Sequence, residues 1–158
     1  MSNTYWEHVL PMHPKLVHIP MALCVLMPMI AILIFVGIRR DWFTPKAWLI
    51  AAFLQTATLV GGLAALKSGE DDGEKVEGYA SEEALEEHEH RAYWFLYVAG
   101  ANTLLCGVTF FLQRDRVRQQ LLAVFTIVGL AAGGYAGYRV GDAGGRLVYV
   151  ANASDAHR

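Results

Sequence analysis

The chain has 158 residues, a hydrophobic fraction of 54%, a charged fraction of 18% and a formal net charge of -2. This hydrophobic fraction is high for a soluble domain. The basic residues form no continuous surface, which excludes a nucleic-acid-binding protein. The motifs of serine hydrolases, phosphate-binding loops and zinc proteases are also missing from the sequence. No enzyme of these classes is therefore indicated.

Four apolar blocks follow one another along the chain, and none contains Asp, Glu, Lys or Arg. They lie at residues 19–38, 47–66, 92–112 and 121–138. Each has about the length of 20 residues that a helix needs to cross a hydrocarbon layer of roughly 30 Å. The first and fourth blocks lack the polar side that a helix of a soluble bundle shows. The sequence predicts an all-α integral membrane four-helix bundle that forms a single domain and contacts the lipid bilayer.

The connections between the blocks differ in length and charge. The two short ones are basic and carry Arg39, Arg40, Lys46, Arg114, Arg116 and Arg118. Short basic connections are retained in the cytoplasm, which predicts a multi-pass membrane protein with both termini on the outer side. The long connection at residues 68–91 is then an acidic outer loop, with a turn region at residues 69–79 and a helix that Ser81 caps.

The fourth block contains Gly129, Gly133 and Gly137 at four-residue spacing. Such a stripe lets a neighbouring helix approach closely. Packing between helices is one interpretation, and a slot for a flat cofactor, widened by Gly134, is the other. Gln55, Asn102 and Thr109 lie inside apolar blocks, where polar side chains are expected to make contacts between helices.

Five of the six histidines precede the first or the third block, and these ends share one membrane face in a four-pass topology. They are His8, His13, His18, His88 and His90. His13 and His18 are separated by about 140° around a helix, and His88 and His90 by about 200°. One histidine of each pair is therefore expected to point into the bundle, and His18 with His88 is the favoured combination. Neutral imidazole is a frequent ligand of transition metals and of haem iron.

Four segments carry a family resemblance, in this order: HPKLVHIP at residues 13–20, SGEDDGEKVE at 68–77, HE at 88–89 and GGRLVY at 144–149. Together they resemble the domain-of-unknown-function 2231 family of small bacterial membrane proteins, over nearly the whole chain. The resemblance implies a four-helix domain of the bacterial inner (cytoplasmic) membrane, whose outer side is the periplasm. Because such domains are sometimes joined to Rieske iron-sulfur domains, it also implies a place in membrane redox chemistry. It marks His13, His18, Glu70, Glu77, His88, Glu89 and residues 144–149. After Tyr149 the chain departs from the family pattern.

The histidines and carboxylates leave three hypotheses open. In the first, haem b is bound by His18 and His88, and His13 and His90 serve as substitutes or as a second pair. Arg91 and Arg139 then pair with the haem propionates. In the second, a zinc, copper or iron ion is bound by His13, His18, His88 and Glu70 or Glu89. In the third, a cofactor-free accessory subunit docks a cytochrome, a Rieske-type protein or a larger membrane redox complex through the acidic loop. The redox context that the resemblance implies favours haem, and an electron-transfer or accessory membrane protein over a stand-alone enzyme.

Overall fold

The computed structural model describes residues 12–76, 81–112 and 115–149, and these residues form helices, turns and short connections without a strand. A short helix precedes four long ones, and a single 3-10 turn, Pro45–Ala47, leads into the second long helix. The helices are α1 (Met12–Leu16), α2 (His18–Arg39), α3 (Trp48–Val76), α4 (Glu82–Phe111) and α5 (Arg116–Tyr149).

The four long helices have the length and hydropathy to cross a membrane, and their apolar windows are only 28% to 33% buried within the bundle. Large apolar side chains such as Leu33, Phe53, Leu104 and Phe125 lie on the outside. An apolar surface of this extent is not compatible with water but suits lipid. The predicted all-α bundle with four membrane-spanning helices is confirmed, whereas the side on which the termini lie stays a prediction.

The long helices form a closed ring, in which α2 packs on α3 and α5, and α4 packs on the same two helices. Polar side chains cross the helix interfaces as expected from the sequence. Asn102 donates from Nδ2 to the Gly129 carbonyl at 2.8 Å, and Gln55 donates from Nε2 to the Ala99 carbonyl at 3.3 Å. The hydroxyl oxygens of Thr109 and Thr126 are 2.7 Å apart. These bonds fix the rotation of the helices against one another.

The glycine stripe of α5 is a packing surface. A Cβ atom at Gly137 would lie 2.5 Å from Cys24 Sγ, and one at Gly133 would lie 2.8 Å from Asn102 Nδ2. The side chains of α2 and α4 therefore already occupy the space that the missing Cβ atoms leave. The packing interpretation is confirmed, and the stripe offers no slot for a flat cofactor.

The helices extend beyond the apolar blocks at the end of the bundle where α2 and α4 begin, which we call the histidine end. α3 continues to Val76, so the turn predicted at residues 69–79 begins too early, and α5 continues to Tyr149. The expected acidic loop at residues 68–91 is largely formed by the end of α3 and the start of α4. Residues 77–80, including Glu77, lie outside the described residues. The predicted helix start is confirmed, since the Ser81 hydroxyl accepts a hydrogen bond from the Ala84 amide at 3.4 Å.

Candidate functional site

His13 and His88 meet at the histidine end. Their ring centres are 6.2 Å apart and the ring planes are perpendicular. α1 packs against the end of α3 and so carries His13 to this position. His88 lies in the polar first part of α4, residues 82–91, which precedes the apolar stretch. Two imidazoles from different helices are therefore adjacent, outside the apolar part of the spans.

The ring of His13 is held by α3. Its Nδ1 lies 2.8 Å from the Ala65 carbonyl oxygen and 3.2 Å from Ser68 Oγ. Because a carbonyl only accepts hydrogen bonds, Nδ1 carries the proton in the neutral ring, and Nε2 then has a free lone pair. Histidines that bind metals commonly have their second nitrogen bonded to a backbone carbonyl in this way. The ring also lies against Gly69, where a Cβ atom would be 3.0 Å from Cε1.

His88 is held against α5, and a Cβ atom at Gly144 would lie 3.1 Å from its Cε1. Its Nδ1 is buried and has no hydrogen-bond partner within the described ranges. Burial lowers the pKa of His88, and the nearby His13 lowers it further. The Val140 backbone beside the ring opposes these two effects without cancelling them. The neutral imidazole is thus the favoured form, which is also the form that binds a metal.

We expect the His88 imidazole to titrate below pH 6.5, its ordinary value. Because the folded protein binds this proton less tightly than the unfolded chain, folding stability is lost as the pH falls below 6.5. In the His13→Gln variant the midpoint should rise towards 6.5, because the electrostatic effect of His13 is removed while burial remains. NMR of the imidazole resonances in detergent micelles measures both midpoints. The His90→Gln variant serves as the control, and a wild-type midpoint at or above 6.5 contradicts the prediction.

The structure places His13, and not His18, beside His88. His18 is exposed at the start of α2, and His90 is exposed, with its Nε2 accepting a hydrogen bond from Trp94 Nε1 at 2.9 Å. One histidine of each pair points inward, as the helical spacing requires. Val17, between α1 and α2, has helical backbone angles, and its amide bonds the His13 carbonyl at 3.2 Å, so His13 and His18 still point in different directions. The spacing does not decide which of the two points inward. The contact of α1 with α3 makes His13 the inward ring.

The predicted carboxylate ligands lie on a different face. Glu70 Oε1 accepts a hydrogen bond from the Tyr93 hydroxyl at 3.4 Å, and Glu89 lines an open groove on α4. The residues that the structure describes contain no group of three or more His, Cys, Asp or Glu placed to bind a metal ion. The expected set of His13, His18, His88 and Glu70 or Glu89 is therefore not assembled. Docking of a basic partner on this acidic groove stays a prediction.

The two arginines predicted to bind propionates already have partners. Arg91 pairs with Glu87 and donates to Asp142 Oδ2 at 3.4 Å and to the Arg139 carbonyl at 3.1 Å. Arg139 itself is exposed and donates to the Tyr135 hydroxyl at 3.2 Å. Arg91 therefore joins α4 to α5 beside His88 and holds the site together, whatever the site binds.

Sequence reasoning missed the α3 residues that position His13. Neither the Ala65 carbonyl nor Ser68 belonged to the expected site, because a backbone acceptor has no sequence signature. The two glycines beneath the rings had a usable signal. Gly69 and Gly144 each follow an apolar block at the histidine end, where a missing side chain leaves room for an imidazole from a neighbouring helix.

Comparisons with known proteins add one finding. Residues 9–156 match the model of a family described as "Predicted membrane protein (DUF2231)". Neither the search of curated proteins nor that of solved structures gave a match. The family match covers almost the whole chain, including α1 and all four long helices. The protein is therefore a member of the DUF2231 family of predicted membrane proteins.

Proposed function

We propose that this protein is a membrane redox protein that binds haem b iron between His13 and His88 and transfers electrons. The observation that carries the proposal is the pairing of two imidazoles from different helices at the histidine end, one of which has a buried nitrogen without a partner among the described residues. Leaving a buried polar atom without a partner costs about 1–3 kcal/mol. A metal bond to that nitrogen would remove this cost.

The distance between the rings supports a shared metal. Since metal–nitrogen bonds to histidine are about 2.0–2.1 Å long, two imidazole nitrogens on one metal can be no more than about 4.2 Å apart. A ring-centre separation of 6.2 Å allows this spacing. His13 is also restrained by Ala65 and Ser68, so little further order has to be imposed on it when a metal binds.

The number of ligands favours haem over a free ion. Structural and catalytic metal ions usually take three or four ligands from the protein. Haem iron takes four from the porphyrin and needs only two axial ligands from side chains. Within the described ranges the site has two imidazoles and no third ligand. Bound haem would supply one-electron chemistry, while the chain holds and orients its iron.

The test is an absorption spectrum of the protein purified from membranes in a mild detergent, after incubation with hemin. We expect a Soret band that changes on reduction with dithionite, together with about one iron per chain by elemental analysis. A stoichiometric metal without a Soret band would overturn the haem proposal and leave a histidine metal site. Folded protein with neither a Soret band nor a metal would overturn both.

A further inference from the structure

A second site lies at the opposite end of the bundle, which we call the basic end. An open apolar groove of about 680 Å³ borders the connection between α2 and α3, and its walls include Trp42, Phe43, Lys46, Leu49, Ile50 and Phe53. We propose that this groove binds an anionic phospholipid, with an acyl chain on the apolar wall and the headgroup phosphate on the neighbouring cations. This site is independent of the proposed haem site.

The wall of the groove is fixed by the way α2 ends. Asp41 has the left-handed backbone angle φ of 58°, and its amide bonds the Ile38 carbonyl at 3.2 Å. The Trp42 amide bonds the Gly37 carbonyl at 2.8 Å. These two bonds form the Schellman motif that closes many helices. The Phe43 ring then packs on Gly37, where a side chain would leave no room for it. The aromatic residues therefore stand in place before a ligand arrives.

The cations beside the groove have no acidic partners in the part of the chain that the structure describes. Lys46 lines the groove, and Arg39 and Arg40 end α2 a few residues earlier. Among the described residues, no carboxylate lies within ion-pair distance of these three side chains. By contrast, Arg91 and Arg146 at the histidine end both pair with Asp142. The basic end thus offers three positive charges to an external anion.

The position of the groove selects a lipid as that anion. Lys46 lies at the polar connection, whereas Ile50 and Phe53 lie one and two turns further along the apolar part of α3, and both are exposed. A headgroup phosphate occupies the membrane surface and its acyl chains extend into the hydrocarbon, so one lipid can reach all three residues. A free phosphate would use the cations and leave the apolar wall uncovered. Basic pockets at the ends of spanning helices are known sites for anionic headgroups.

Native mass spectrometry of the detergent-purified protein tests the proposal, with phosphatidylglycerol and phosphatidylcholine of equal chain length as the probes. We expect preferential binding of phosphatidylglycerol. In the Arg40→Gln and Lys46→Gln variants its affinity should fall by about fivefold for each charge removed, from the typical effect of one basic residue near a charged lipid surface. The control is Arg118→Gln, at the same end, because Arg118 already pairs with Asp115 at 3.7 Å.

Three outcomes would overturn the proposal. Equal binding of the two lipids would remove the role of the headgroup charge. Unchanged phosphatidylglycerol binding in the Arg40→Gln/Lys46→Gln double variant would exclude these cations. Competition by glycerol 3-phosphate at the same concentration as the lipid would show that the groove contributes nothing, leaving a simple anion site. All substituted side chains are exposed, so the fold should persist, and gel filtration checks this.

Discussion

Replacing Gly137 by alanine is expected to destabilise the bundle by about 1–3 kcal/mol, the usual cost of an added methyl group in a packed core. The new Cβ would lie 2.5 Å from Cys24 Sγ and 3.5 Å from Phe95 Cε2. Both neighbours are buried and belong to one packed cluster, so neither can move away easily. Leucine at this position should prevent α2 from packing on α5. Thermal unfolding in detergent, followed by circular dichroism, measures the loss.

Two variants separate this steric effect from a change in helix propensity. Gly145 lies on the same helix, and a Cβ atom added there would have no neighbour within 4 Å among the described residues. Gly145→Ala should therefore be neutral or stabilising by up to about 1 kcal/mol. Cys24→Ala removes the sulfur, and Cys24 Cβ is an ordinary 3.7 Å from the new methyl group. The Gly137→Ala/Cys24→Ala double variant should therefore recover part of the loss. Equal effects at Gly137 and Gly145 would contradict the close packing of α5 on α2.

The number and order of the helices could be predicted because a membrane imposes a length on each apolar block. The residues at which the helices end could not be predicted in this way. Hydropathy shows where the hydrocarbon layer ends, and a helix can continue into water as long as its side chains are solvated. α3 therefore continues through its acidic residues to Val76. The start of α4 was predictable because Ser81 and the following glutamates have a local capping chemistry that needs no tertiary contact.

For the candidate site too, features that depend on local sequence could be predicted, whereas features that depend on contacts between helices could not. Helical spacing limits each histidine pair to one inward ring, but it cannot show which ring of the pair that is. Glu70 and Glu89 lie near the histidine-containing segments in the sequence, yet in the structure the Glu70 carboxylate accepts a hydrogen bond from the Tyr93 hydroxyl. Which face of α3 meets α4 depends on contacts between whole helices, such as that of Gln55 with the Ala99 carbonyl, and these have no short-range pattern.

Removing either His13 or His88 is expected to abolish the proposed haem centre. Both rings would hold the haem iron, and loss of a residue that merely orients a metal ligand already lowers metal affinity by about 10- to 100-fold. The His13→Ala and His88→Ala variants should therefore lose the Soret band and the bound iron. The measurement is the ratio of Soret to protein absorbance, recorded together with iron content on the same samples.

The matched controls are His18→Ala and His90→Ala. Each belongs to the same histidine pair as one of the tested residues, but both rings are exposed and neither contacts the other pair in the described structure. These variants should retain the haem in full. A loss of haem in all four variants would indicate damage to the fold. Added imidazole distinguishes such damage from the loss of an iron ligand. Free imidazole can replace a missing axial ligand and restore the spectrum of His88→Ala, but it cannot repair a misfolded bundle. Full haem content in His13→Ala, with loss in His18→Ala and His88→Ala, would instead return the site to the pair that the sequence favoured.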